Sequence, residues 1–287
     1  MRERAQRFDP RQNMHKPDFE VFHYREPRPG TVEVHHHDFY EVYCFLSGEV
    51  EFWVEGRLYH MHPGDLLLIN PMELHRPILG PEKRLYERIV LWIDPEYLES
   101  LSTDEVRLNR CFNDQLPTHT NLLHPTSVQR SDILTRLGDL VRESYSREYG
   151  SGICADGIFR RFMVELNRLA MQADSARPRE EREDSSPLVS QVLTYIGEHY
   201  REELSLDMLA QRFYVSKYHL SHEFSRTVGV SVYRYILLKR LLIAKQQLLT
   251  GMAPGEVSVR CGFGDYTNFY RAFKAEYGIS PGAFSAE

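Results

Sequence analysis

Along residues 31–93 the apolar positions fall in short runs, broken by turn formers at Ser47-Gly48, Glu55-Gly56-Arg57, Pro63-Gly64-Asp65 and Asn70-Pro71. Strands this short and regular predict a small β-barrel or sandwich. The period then lengthens. Ile133, Leu134, Leu137, Leu140, Val141 and Tyr145, followed by Ile158, Phe159, Phe162, Met163, Leu166 and Leu169, recur at helical spacing, which predicts amphipathic helices over 132–149 and 154–171. Their apolar stripes suit two uses, covering the sheet of one chain or pairing two chains. Residues 173–187, ADSARPREEREDSSP, mix charge of both signs with Ser and Pro and hold no large apolar anchor. Residues 173–186 therefore read as a linker between domains at 1–172 and 187–287.

Beyond the linker the pattern repeats. Moving residues 216–235 forward by 49 positions places Ser216 on Asp265, Leu220 on Phe269, Phe224 on Phe273, Gly229 on Gly278, Ser231 on Ser280 and Tyr235 on Phe284. Each copy thus holds a helix N-cap, two apolar residues one turn apart on a single face, and a glycine suited to ending the helix. A shorter helix precedes each copy: Ser205 can cap Leu206 to Phe213, and Pro254 can start one that ends before Gly262. Ala210 and Ser258 are small where two helices of a helix-turn-helix must approach. Val232 to Thr250, largely apolar and stopped by Gly251, predicts a long helix between the units, and Pro187 starts a further one through Leu188, Val192, Tyr195 and Ile196.

The segments LSLDMLAQRFYVSKYHLSHEFSRTVGVS and VRCGFGDYTNFYRAFKAEYGISPGAF, which lie within about the last hundred residues, resemble the AraC/XylS family of bacterial regulators. The turn at Gly262-Phe263, the segment Arg271 to Lys274 and the ending Gly278 to Pro281 occur together and in order. Ser258 stands where the family usually has alanine, and the usual basic residue after Phe284 is missing. The resemblance implies sequence-specific binding of double-stranded DNA, a leaning towards activation with RNA polymerase as partner, and a homodimer. If Leu220 and Phe224 face inward, the first recognition helix presents Lys217, Tyr218, Ser221, His222 and Ser225, and the second presents Tyr266, Thr267, Tyr270, Arg271 and Lys274. Arg271 is the expected base reader, since a guanidinium pairs bidentately with guanine and the resemblance places a base-contacting arginine here. Lys217, Lys239, Arg240 and Lys274 suit phosphates. The alternative is that these are solvated helix faces. Tyr214, Tyr233 and Tyr277 are expected in the core.

The N-terminal half carries the other chemistry. His35, His37 and Glu41 share strand parity and so would face one side of a sheet, and His75 follows in NPMELH. This pattern resembles the cupin fold. Three imidazoles and a carboxylate could hold Fe, Mn, Ni or Zn, and the spacing matches the first cupin metal motif. The second motif fits less well: Glu73 replaces a usual glycine and His75 is one residue closer to Pro71 than expected. The favoured reading is a pocket without metal or other cofactor for a small polar effector such as a sugar, with Tyr43 and Trp53 as stacking surfaces. Histidines that make only structural hydrogen bonds are a third reading. His36, His60 and His62 are expected at the surface or in turns, and Pro63-Gly64-Asp65 as a turn.

Composition narrows the choice. The chain has 287 residues, 42% hydrophobic, and a net charge of −6. Residues 187–287 hold 11 Lys and Arg against 9 Asp and Glu, a balance of +2, and the remaining 24 against 32 leave −8 in the first part. Charge thus permits a C-terminal nucleic-acid face without establishing it. Cys44, Cys111, Cys154 and Cys261 form no CxxC pair, which argues against a zinc finger and fits a reducing cytoplasm. No leader or membrane span is evident. The expectation is an α+β chain: a small cupin-like β-barrel with two flanking helices, then an all-α domain of two helix-turn-helix units. Its function would be an effector-responsive transcriptional regulator and not an enzyme. A metal-dependent cupin enzyme or a metal-sensing regulator is the alternative.

Overall fold

The computed structural model describes residues 13–27, 32–80, 85–113, 116, 119–176, 183–184 and 186–285. The chain divides into two compact units, Met1–Glu183 and Asp184–Glu287.

The first unit holds eight strands before its two long helices: β1 (Phe19–Pro27), β2 (Tyr40–Ser47), β3 (Val50–Val54), β4 (Arg57–His60), β5 (Leu66–Ile69), β6 (His75–Leu79), β7 (Leu85–Ile93) and β8 (Leu122–Leu123). They form two sheets, in the orders β1-β7-β2-β5-β8 and β6-β3-β4, the latter with a two-residue β9 (Glu183–Asp184) at its edge. The expected barrel does not close, and the ladders instead form a sandwich. A register break between Phe45 and Ser47 lets β2 leave the first sheet, and Gly48, with φ of 116°, turns the chain into β3 of the second. Glu55 and Gly56, both at positive φ, close the β3–β4 hairpin as a twist-matched two-residue turn.

Alternate residues of the first sheet enter two different cores. Phe19, Val21, Val42, Cys44, Leu66, Leu68, Ile89, Leu91 and Ile93 pack beneath α2 (Ser127–Tyr145) and α3 (Ser151–Ala176), which contribute Ile133, Leu137, Leu140, Phe159, Phe162, Met163 and Leu166. The helical stripes therefore cover the sheet of their own chain. α3 also runs to Ala176, into the expected linker, of which residues 177–182 and 185 lie outside the described set. Between the sheets, Tyr43, Phe45, Leu67, Ile69, Tyr86 and Val90 meet Val50, Phe52, Val54 and Tyr59. A helix α1 (Pro95–Ser100), capped by Asp94, follows β7.

The second unit is helical: α4 (Pro187–His199), α5 (Leu206–Arg212), α6 (Lys217–Val228), α7 (Val232–Leu249), α8 (Pro254–Arg260), α9 (Tyr266–Tyr277) and α10 (Pro281–Phe284). The repeated caps act as expected. Ser216 accepts from the His219 amide at 3.1 Å and Asp265 from that of Thr267 at 2.6 Å, while Gly229 and Gly278 end their helices at φ of 92° and 77°. Leu220, Phe224, Phe269 and Phe273 are fully buried, and Ala210 and Ser258 are buried at the helix contacts. α7 has buried residues all around its circumference, from Val232 to Leu248. The turn of the second unit is one residue longer than that of the first, since α5 and α8 start 48 residues apart and α6 and α9 start 49 apart.

Candidate effector pocket and nucleic-acid interface

Three histidines and a glutamate converge inside the sandwich. His35 and His37 lie in irregular chain before β2, so strand parity does not bring them together. A backbone bridge does: the His35 amide donates to the His75 carbonyl at 3.1 Å, and the His75 amide to the His35 carbonyl at 3.0 Å. The imidazoles of His35 and His75 lie 4.3 Å apart and those of His37 and His75 4.8 Å apart, centroid to centroid. Glu41 enters from β2, and donor atoms of His37, Glu41 and His75 all lie within 4.8 Å of one another.

The protonation pattern follows from the partners. Nδ1 of His35, His37 and His75 faces the carbonyl of Glu33, Phe39 and Glu73 at 2.9, 2.8 and 2.9 Å. A carbonyl can only accept, so each Nδ1 carries the proton and each neutral ring presents a lone pair at Nε2. Burial pushes the His37 pKa down to about 3, and lowers those of His35 and His75 by the same cause. Nε2 of His37 and of His75 is buried without a hydrogen-bond donor, and each such orphan costs about 1–3 kcal/mol. Glu41 accepts from Trp92 Nε1 at 2.9 Å, while its Oε2 lies 3.3 Å from His37 Nε2.

The register extends this pocket along the first sheet. Tyr24 pairs with Arg88, Glu41 with Trp92 and Tyr43 with Val90, so Tyr24, Glu41, Tyr43, Tyr86, Arg88 and Trp92 share the face that meets the second sheet. The Arg88 guanidinium lies over the rings of Tyr24 and Tyr86 at 4.5 and 4.4 Å and binds Glu26 at 2.8 Å. Its Nη1 has no hydrogen-bond partner. Trp53, expected in this pocket, is not there: it alternates with the inward residues Phe52 and Val54 and so lies on the other face of β3. Trp92 provides the indole instead. Sequence reading missed Trp92, Arg88 and Tyr24, although the aromatic spacing of Tyr86 to Trp92 carried a period-two signal. His60 and His62 are exposed as expected, but Asp65 is more than a turn residue. It is buried, and its carboxylate meets His124 Nδ1 at 2.8 Å and the His62 amide at 2.7 Å.

In the second unit the expected reading faces are outward. Lys217, Tyr218, His222 and Ser225 on α6 are exposed and Ser221 is half-buried, while Tyr266, Thr267, Tyr270, Arg271 and Lys274 on α9 are all exposed. Tyr218, Ser221, His222, Ser225 and Arg226 line a shallow groove. Arg226 was missed by the sequence reading, although it lies one turn beyond His222 on the same face. Arg240 is not an open phosphate contact, because it donates to the carbonyls of Tyr200 and Glu202 at 2.8 and 2.7 Å and so anchors the end of α4. Lys239 is half-buried. Tyr214 and Tyr233, expected in the core, are 96% and 75% exposed, because Tyr214 occupies the tip of the α5–α6 turn and Tyr233 the open side of α7. Tyr277 is half-buried.

Residues 16–152 match the AraC-like ligand binding domain, and residues 209–287 match a helix-turn-helix domain. The chain belongs to the AraC/XylS family of transcriptional regulators. It is a DNA-binding regulator with a ligand-binding domain, and the family is one of regulators and not of enzymes, which sets aside the cupin-enzyme alternative. The HTH-type transcriptional activator RhaS of Escherichia coli O139:H28 is 23% identical over 259 residues, 89% of each chain. RhaS of Salmonella arizonae is 24% identical over the same length. Among solved structures, fatty-acid-bound ToxT of Vibrio cholerae is 12% identical and aligns over 96% of this chain and 97% of its own, with a TM-score of 0.40. Among the described residues no helix is long and apolar enough to cross a membrane.

Proposed function

We propose that this AraC/XylS regulator is a cytoplasmic transcriptional activator controlled by a small polar effector, such as a sugar, held between its two sheets. The single observation that carries the reading is the convergence of His35, His37, Glu41 and His75 inside the sandwich, beside a sheet face that carries Tyr43, Trp92 and Arg88. So many polar groups inside a sandwich are costly unless a ligand engages them. The activator assignment draws on the likeness to the transcriptional activator RhaS and brings RNA polymerase as a partner. The regulator acts as a homodimer, through exposed residues of the first unit. Exposed Tyr149 and Ile153 are available for it.

On the DNA side, α6 and α9 enter successive major grooves, about 34 Å apart. Arg271 reads a guanine, while Lys217 and Lys274 contact phosphates. Effector binding shifts the regulator between two states only by the difference in its affinity for them. The test is operator-dependent transcription by the full chain with and without effector. Tyr43→Phe, Arg88→Ala and His75→Ala are expected to lose the effector response while still binding operator. Variants that respond as the parent does would remove the pocket from the sensing role.

A further inference from the structure

We infer that the histidine end of the pocket is a binding site for a divalent first-row transition ion, held by His37 Nε2, His75 Nε2 and the Glu41 carboxylate, with His35 beside them. The inference rests on the sensor reading and specifies what occupies one end of that pocket.

The geometry leads to it in three steps. First, three backbone carbonyls take the Nδ1 protons of His35, His37 and His75, so the rings are fixed as the tautomer whose Nε2 lone pair points away from those carbonyls. This is the outer hydrogen bonding that metal-bound histidines use. Second, His37 Nε2 stands 3.3 Å from Glu41 Oε2 with no donor between them. A lone pair facing a carboxylate is repulsive, and a shared cation reverses the sign. Third, Trp92 Nε1 donates to the same carboxylate, which orients it without adding positive charge. Two imidazole nitrogens and one carboxylate suit zinc, iron, nickel or manganese, whereas calcium and magnesium prefer all-oxygen sets. The remaining coordination positions are where oxygen atoms of a polar effector would bind.

A second cluster, His62, Asp65 and His124, also has donor atoms within 4.8 Å of one another. There, however, the imidazoles of His62 and His124 turn Nδ1 towards the Asp65 carboxylate, so each ring already has an acceptor partner and the charge balance needs no ion.

The test uses the full chain, stripped with a chelator and titrated with zinc and with cobalt(II) as a spectroscopic probe. One ion per chain is expected, with cobalt bands of nitrogen and oxygen ligation and no thiolate charge transfer. His75→Gln and Glu41→Gln, chosen as near-isosteric changes, should weaken binding by at least about 100-fold, and Trp92→Phe, which removes the hydrogen bond to Glu41 and keeps an aromatic ring against Phe39, by about 10-fold. Far-ultraviolet circular dichroism of each variant checks that it is folded, and His124→Ala should bind as the parent does. Absence of binding, unchanged affinity in both His75→Gln and Glu41→Gln, loss in His124→Ala, or a thiolate signature would each overturn the site. If ion binding fails while Tyr43→Phe and Arg88→Ala still abolish the effector response, the ion is wrong and the sensor reading stands. If the ion binds as expected while no pocket variant alters transcription, the sensor reading is what fails.

Discussion

The two helix-turn-helix units share a sequence pattern and differ in how their cations are held. On α6 side, Lys217 pairs with Asp207 and Arg226 with Glu223 at 2.9 Å. On α9, Arg271 and Lys274 form no ion pair among the described residues, and Arg271 interacts electrostatically with the N-cap Asp265. A guanidinium that must first leave a carboxylate gains less from DNA than one that is free. The first unit is thus suited to positioning and the second to base reading. The turns differ too: the left-handed position after the first helix is Tyr214, φ 55°, in one unit and Gly262, φ 78°, in the other. A side chain at 262 would also meet the Arg201 carbonyl oxygen at 2.6 Å, so glycine is required there by both the backbone angle and the close approach.

The largest effect expected from this asymmetry is at Arg271. Arg271→Ala should cost about 1–3 kcal/mol of operator binding and relax preference at one base pair, with a smaller loss for His222→Ala, its counterpart in α6. Binding to a panel of single-base operator changes measures both, and equal losses at the two positions would end the division of labour. Next come the turns. Gly262→Ala should destabilise the unit by about 1–3 kcal/mol, whereas Tyr214→Gly should stabilise it, by up to about 1 kcal/mol, because strain is relieved but the unfolded chain gains freedom. Denaturant midpoints at constant slope decide this, and destabilisation by Tyr214→Gly would mean that the tyrosine makes a contact worth more than its strain. Lys274→Ala should weaken all sequences alike and lower the salt slope by about one ion. The smallest change is Glu223→Gln, which removes the carboxylate charge paired with Arg226. A roughly two- to fivefold gain in DNA affinity is expected, with a steeper salt dependence, and no gain would show that Arg226 does not reach a phosphate.

The helical unit was the more legible in sequence, because its signals are local. Caps such as Ser216 and Asp265, glycines such as Gly229 and Gly278, and apolar residues one turn apart act within a dozen residues of chain. The extra residue in the second turn escaped because the comparison began after it, at Ser216. Tyr214 was misread because aromatic character speaks for burial while position in a turn speaks against it, and position decided. In the sandwich, β1 was missed because its first half is buried on both faces, with Phe19 and Val21 under the helices and Phe22 against Trp92, and the exposed His23 and Arg25 follow only afterwards, so the alternation that marks a half-exposed strand is short. The pocket histidines were found by a parity argument that does not hold for His35 and His37, and what joins them is a long-range bridge to His75. Trp53 and Trp92 could not be ranked without the register, which alone says which face each occupies.

The burial of α7 bears on the operator as much as on the protein. A helix of 18 residues, about 27 Å long, with Leu241, Ala244 and Leu248 in the core cannot stretch or swivel without opening it. Under the proposed reading it would work as a ruler: the base pairs between the two reading helices would be sensed by their number, whatever their identity. One base pair added there would turn the second site about 34° around the duplex and shift it about 3.4 Å. The spacer of a natural operator for this protein should accordingly vary freely in sequence and hardly at all in length.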